Sequence, residues 1–287
     1  MKPASFSYEA PSTLAATLGS LAKWRGEGKI IAGGQSLAPM MNMRLAQPGH
    51  LIDINGLANL GQVRREKNQL IIGALVRHAD LARDALVRAH APIIARAADT
   101  IGHYAIRQRG TLGGSLAHAD PAAQLPLVAV TLDAKIEIAS MRGERMVPAA
   151  DFFQSVFSTA LEADELLVAL HVPLPPRPDG WGFRLFRRRA GDFALVAVAA
   201  TLSHNQDGAP DRLRLAASGL SSTPVRIAAA ERLAIDQGNP TWAARTAEVA
   251  AVAAEIEENE DVSVEFRREL LATIVRQALN DAMERTS

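Results

Sequence analysis

The sequence predicts an α+β protein of two domains, and three observations carry that reading. Short apolar runs alternate with helix-period stretches through residues 1–174. Pro173, Pro175, Pro176 and Pro178 then crowd into six residues, the clearest boundary in the chain. Beyond them three strands come first and three helices after, the order expected of an α+β domain with its sheet covered on one face. The chain's 287 residues suffice for two cores, and 48% hydrophobic with 22% charged residues marks a globular composition. The expected bounds are 1–174, with subdomains of about 1–56 and 57–174, and 179–287.

Pro11-Ser12 announces a helix, and Leu14, Leu18 and Leu21 follow at helical spacing through Trp24. Gly26 and Gly28 end it, and Ile30-Ile31-Ala32 reads as a buried strand running into Gly33-Gly34. Leu37 to Leu45, rich in Met, is a helical turn or an irregular apolar segment. Leu51 to Ile54 is a strand closed by Asn55-Gly56. Leu70 to Ala74 is another strand, His78 to Arg83 a short helix and Ala85 to Ile101 a longer, Ala-rich one. Gly110 to Ala123, with its Gly, Ser, Asp and Pro, reads as loop. Leu125 to Leu132 is a short helix or apolar turn, and Lys135 to Ala139 and Glu165 to Val172 are strands. In the second domain the strands are Trp181 to Arg188, Phe193 to Leu202 and Asp211 to Ser218. The helices are Val225 to Gln237, Trp242 to Glu257 and Glu265 to Glu284.

Composition excludes several functions. With 31 basic and 31 acidic side chains the chain lacks the cationic surplus of a nucleic-acid binder. It has no cysteine, so it forms no disulfide, thiolate metal site or iron–sulfur cluster of its own, and any redox work needs a borrowed cofactor. The N-terminus has no apolar run of the signal-peptide kind, and the richest apolar stretch, Phe193 to Leu202, is about half of what a membrane span needs. A soluble, cytoplasmic protein is expected.

Two segments are informative: Ala32-Gly33-Gly34-Gln35-Ser36 and Thr111-Leu112-Gly113-Gly114-Ser115. A glycine pair lets successive N–H groups face one concavity and lets a ligand approach the main chain, with Ser, Thr and Gln as added donors. Taken singly, a Gly-Gly pair is most often just a tight turn. Two of them, one directly after a buried strand, are a candidate clasp for the phosphates of a dinucleotide. Neither fits G-x-G-x-x-G or the nucleotide P-loop, so a bound nucleotide would not lie on a Rossmann scaffold.

Longer stretches carry a family resemblance. AGGQSLAPMMNMRLAQPGHLIDIN (Ala32 to Asn55) resembles the first FAD-binding segment of the molybdenum hydroxylase flavoproteins, the medium subunits of the carbon monoxide and xanthine dehydrogenase family. IGHYAIRQRGTLGGSLAHADPAAQLP (Ile101 to Pro126) resembles the second, and FRLFRRRAGDFALVAVAATL (Phe183 to Leu202) the start of the family's C-terminal domain. The resemblance implies a two-subdomain FAD-binding domain of the vanillyl-alcohol oxidase type, then a three-stranded antiparallel sheet with a helical bundle. It places the FAD pyrophosphate between Ala32, Gly33, Gly34, Gln35, Ser36 and Leu37 on one side and Thr111, Gly113, Gly114 and Ser115 on the other. Ile101 and Leu167 match apolar contacts of the cofactor. Phe193 falls where several relatives carry Tyr beside the isoalloxazine, so stacking survives and a hydroxyl is lost. Gln124 stands where many relatives have Asp, and Leu185 near a frequent Lys, with Arg184 the nearest basic candidate.

His118-Ala119-Asp120 lacks a third metal ligand at suitable spacing, so Asp120 caps the turn before Pro121 or touches the cofactor. Met40, Met41 and Met43 read as adaptable packing, and Arg187 to Arg189 and Glu255 to Asp261 as solvated charge. The resemblance implies an electron-transfer subunit that carries FAD and takes electrons from [2Fe–2S] clusters of a small partner subunit to an external acceptor. A molybdopterin cofactor on a large partner subunit would perform the substrate chemistry, in a heterotrimer often paired into a dimer of trimers. No residue of this chain need act as acid, base or nucleophile. Two alternatives stay open: a stand-alone flavoprotein oxidase of the vanillyl-alcohol oxidase group, and a non-enzymatic nucleotide-binding module.

Overall fold

A computed structural model describes residues 2–205, 207, 209–233, 235–236, 238–258 and 262–285. The chain enters through β1 (Ser7–Glu9) and crosses by α1 (Leu14–Lys23) to β2 (Gly28–Ile31), then by α2 (Leu37–Asn42) to β3 (His50–Asp53). Both crossings return the chain parallel, giving a sheet ordered β1–β3–β2. Thr13 caps α1 by accepting from the Ala16 N–H, and Leu18 and Leu21 bury its inner face.

A 3₁₀ turn (Ala58–Gly61) leads to β4 (Val63–Glu66), β5 (Gln69–Gly73) and α3 (His78–Leu81). Helices α4 (Ala85–His90), α5 (Pro92–Asp99), α6 (Tyr104–Arg109), α7 (Leu112–His118) and α8 (Gln124–Thr131) follow. The chain continues with β6 (Lys135–Ser140), β7 (Gly143–Pro148), α9 (Ala149–Phe152), the small hairpin β8 (Phe153–Ser155) and β9 (Ser158–Thr159), and β10 (Leu166–Pro173). Its antiparallel sheet runs β4–β5–β10–β6–β7. The second domain is β11 (Gly180–Phe186), β12 (Val196–His204), β13 (Pro210–Ser218), β14 (Val225–Arg226), α10 (Ala228–Glu231), α11 (Trp242–Ala253) and α12 (Val264–Glu284).

The architecture is α+β, as the sequence predicts, and four differences bear on the core and the site. The stretch from Ala85 to Ile101 is two helices, because Pro92 supplies no N–H and forces Ala91 to an extended φ of −144°. Within the predicted loop from Gly110 to Ala123, Leu112–His118 is helical, with Thr111 as its cap. The stretch from Val225 begins as β14, a fourth strand of the sheet expected to have three, and among its described residues only Ala228–Glu231 is helix; Gln237 and Asp261 lie outside the described residues.

The fourth difference concerns the sheet faces. Val196, Val198, Ala200 and Leu202 pack beneath α11 and α12, while Ala197, Ala199 and Ala216 join the core of the first domain. The sheet is therefore covered on both faces, which is why β12 reads as an unbroken apolar run. Arg214, 8% exposed, pins this junction by donating to Asp133 (2.6 Å) in the turn after α8 and to Asp179 (3.3 Å). Among the described residues no helix is long and apolar enough to cross a membrane.

Candidate functional site

The fold brings the two glycine segments into contact. Gly33 follows β2 and is buried against the main chain of Arg109 and Gly110, just before α7. A Cβ there would stand 2.2 Å from the Arg109 carbonyl oxygen and 2.9 Å from the Gly110 Cα, so only glycine permits the approach. Gly34 takes φ +70°, the left-handed conformation that favours glycine.

Beyond that bend the amides of Gly33, Gly34, Gln35, Ser36 and Leu37 donate to no protein acceptor among the described residues. The Gln35 side chain folds back to donate to the Gly33 carbonyl at 2.9 Å. Five successive amides left without a protein acceptor, Gly33 buried and the other four half-buried, can serve an anion with several acceptor oxygens, such as a diphosphate. The chain thus fits the phosphate end of the expected flavin nucleotide.

The second segment is built differently. Thr111 accepts the Gly114 N–H at 3.1 Å, while the Leu112 and Gly113 amides donate to the Val76 (2.9 Å) and Ala74 (2.8 Å) carbonyls. Gly113 is buried because a Cβ would lie 2.6 Å from that of Ala74. Four of the amides here, Leu112 to Ser115, serve the protein, the last by donating to the Thr111 carbonyl (3.0 Å), so the segment offers a ligand the open face of Gly114 and the half-buried Ser115 side chain. His78 locks it from behind: its N–H donates to the Gly110 carbonyl (3.0 Å) and its Nε2 bonds the Thr111 carbonyl (2.9 Å). Burial pushes the His78 imidazole down to about 4, so it is neutral at pH 7 and donates from Nε2.

A polar chain that sequence reasoning missed runs along the seam. Tyr8 donates to Asp53 (2.7 Å), and Asp53 accepts from the Asn55 side chain (2.7 Å) and main chain (2.8 Å). Asn55 donates to the Ala32 carbonyl (2.9 Å) and accepts from Arg77 (2.7 Å), whose other terminal nitrogen donates to the Arg109 carbonyl. Burial and the neighbouring Arg109 charge hold Arg77 below the usual guanidinium range.

The remaining expected contacts are scattered. Ile101 is half-buried against the main core, and the loop after β11 is held beside it by an Arg187 bond to the Thr100 carbonyl (2.9 Å). In that loop Gly191 (φ +91°) lies flat on His103, and Phe193 is 63% exposed. Asp120 accepts from the Ala122 N–H (2.8 Å), capping its own turn, and borders a cleft of about 320 Å³ shared with Ala194, Leu195 and Arg267. Gln124 and Leu167 are buried, at 4% and 3% exposure, and Leu167 packs in the core opposite Ile138. Arg184 pairs in β11 with Val198, on the helix-covered face, and its Nε and one terminal nitrogen donate to the two carboxylate oxygens of Asp281 of α12 at 2.7 Å each. Its charge is spent there; Leu185, opposite Ala197, faces the first domain.

Comparison with known proteins agrees with this fold. Residues 4–175 match the family described as the FAD binding domain in molybdopterin dehydrogenase, and residues 181–282 the CO dehydrogenase flavoprotein C-terminal domain. The chain is 38% identical to the 6-hydroxypseudooxynicotine dehydrogenase complex subunit alpha of Paenarthrobacter nicotinovorans, covering 99% of this chain and 97% of that one. It is 32% identical to the carbon monoxide dehydrogenase medium chain of Hydrogenophaga pseudoflava, with 99% of each covered. Its fold is similar to a chain of quinoline 2-oxidoreductase from Pseudomonas putida 86, with TM-score 0.92, 35% identity and coverage of 100% and 99%.

Proposed function

The chain belongs to the FAD-binding medium subunits of the molybdenum hydroxylases, and from that membership we propose that it holds FAD along the seam between Ala32–Leu37 and Thr111–Ser115. It is an oxidoreductase subunit that receives electrons from [2Fe–2S] clusters of a partner subunit and delivers them to an external acceptor. When bound, FAD supplies the electron-carrying isoalloxazine. The residues of this chain bind and orient it. The free amides of Gly33 to Leu37 take the diphosphate from one side, and Gly114 and Ser115 line the other. Ile101, and Phe193 in the loop that the Arg187 and Gly191 contacts hold against Thr100 and His103, offer the apolar surface for the ring system.

The observation that carries the reading is the run of unpaired amides meeting the second glycine segment at a Cβ-free contact. The assembly is a complex with a large molybdopterin subunit and a small iron–sulfur subunit, paired into a dimer of heterotrimers. Its place is the cytoplasm, or the inner face of the membrane through the complex. The large subunit selects the substrate. The domain division follows the proline cluster, at 1–174 and 179–287.

Isolation of the native complex by a tag on this chain tests the reading. Flavin, iron and molybdenum should elute together with two further polypeptides. A yellow protein that elutes alone and oxidises an organic substrate unaided would instead identify a self-contained oxidase.

A further inference from the structure

We propose that Arg77 and Asn55 form a bracket that fixes the spacing of the two glycine segments and thereby sets the affinity for the FAD diphosphate; this rests on the FAD reading above. Neither side chain belongs to the glycine motifs, and each binds a main-chain atom next to one of them. Asn55 holds the first segment through the Ala32 carbonyl (2.9 Å) and accepts from Arg77 (2.7 Å). Arg77 holds the second through the Arg109 carbonyl, the same oxygen that a Cβ on Gly33 would meet at 2.2 Å. The contacts close a ring: Ala32 carbonyl, Asn55, Arg77, Arg109 carbonyl, Gly33.

Both brackets are themselves anchored. The Arg77 backbone pairs antiparallel with Thr111, flanked by the Leu112-to-Val76 (2.9 Å) and His78-to-Gly110 (3.0 Å) bonds. Asn55 is fixed by two bonds to Asp53, which the Tyr8 hydroxyl also meets (2.7 Å). The planar guanidinium fork spans two separated acceptors with fixed geometry, whereas the ammonium of lysine, despite its three donors, is a compact point on a flexible stem and does not hold that span. Arg77 and Asn55 are thus positioning residues. They act on FAD through the main-chain amides and carry no electron themselves.

The test uses the full chain stripped of flavin and titrated with FAD and, separately, with ADP. Arg77→Met and Asn55→Ala should each weaken FAD binding about tenfold or more, the scale of a lost charged hydrogen bond. ADP should weaken by the same factor, because the bracket acts at the diphosphate. Arg77→Lys should recover part of the loss. The double variant should be no weaker than the poorer single variant to within about twofold, since both residues belong to one unit. Melting of the flavin-free protein should move by less than about 4 °C.

Wild-type FAD affinity in Arg77→Met overturns the bracket. A loss in Arg77→Met with none in Asn55→Ala overturns it in favour of a direct charge contact. If both variants are unfolded by circular dichroism while a folded Arg77→Lys binds FAD as wild type does, it is overturned also. A wild-type chain that takes up no FAD refutes the functional reading itself, which separates the two failures.

Discussion

Gly33→Ala is the smallest change that strains the seam. The added carbon would begin 2.2 Å from the Arg109 carbonyl oxygen, where ordinary contact starts at 3.4 Å, so the segments must part by about 1.2 Å. Overpacking of this kind costs roughly 1–3 kcal/mol. Because the strain falls between the two surfaces that receive the diphosphate, much of it should appear as weaker FAD binding, about 10- to 100-fold at 1.4 kcal/mol per decade. The assay is titration of flavin-free protein with FAD, followed by flavin fluorescence. Gly61→Ala is the control, since nothing lies within 4 Å of the carbon it adds. A Gly33→Ala variant that binds FAD as tightly as the Gly61→Ala control would refute the argument that this contact shapes the site.

Other perturbations separate the site from its scaffold. Gly182→Ala places a carbon 1.9 Å from the Ala278 carbonyl of α12, so it should cost about 1–3 kcal/mol in urea unfolding, with FAD affinity retained while the protein stays folded. Asp133→Ala removes the main partner of buried Arg214 and should cost about 1–3 kcal/mol, against no more than about 0.5 for Glu66→Ala at the exposed Arg64 pair. His78 titrates near 4 when folded and near 6.5 when unfolded, so below pH 6.5 only the unfolded chain gains the proton. Its contribution should therefore fall by up to about 3 kcal/mol between pH 6.5 and 4, and His78→Gln should flatten that slope in urea titrations. An unchanged slope would contradict the neutral, buried imidazole.

Among the elements legible in the sequence are strands whose apolar runs end at glycine or proline. β2, β3, β5 and β10 sit where the runs from Ile30, Leu51, Leu70 and Glu165 place them, within two residues. β4 and β7 escape notice because their residues, Val63-Arg64-Arg65-Glu66 and Gly143 to Pro148, are largely exposed and polar. α7 reads as loop because Gly-Gly disfavours helix, yet the Thr111 cap and the Ala74 and Val76 carbonyls hold its first turn. The glycine pairs were visible, but the unequal use of their amides was not, since it depends on which carbonyls β5 and its following turn present. The bracket was hidden for a similar reason: Asn55 reads as a turn residue and nothing in the sequence singles out Arg77, and the fold joins them across 22 positions. The orientation of Arg184 was not legible in the sequence. Strand alternation turns it to Asp281, whereas its neighbour Leu185 faces the first domain.

The most direct test of the account is a crystal structure of the FAD-loaded chain. The main-chain amides of residues 33–37 should lie within hydrogen-bonding distance, about 3 Å, of diphosphate oxygens, with Gly114 across from them. A diphosphate bound elsewhere, with those five amides facing only water, would contradict it.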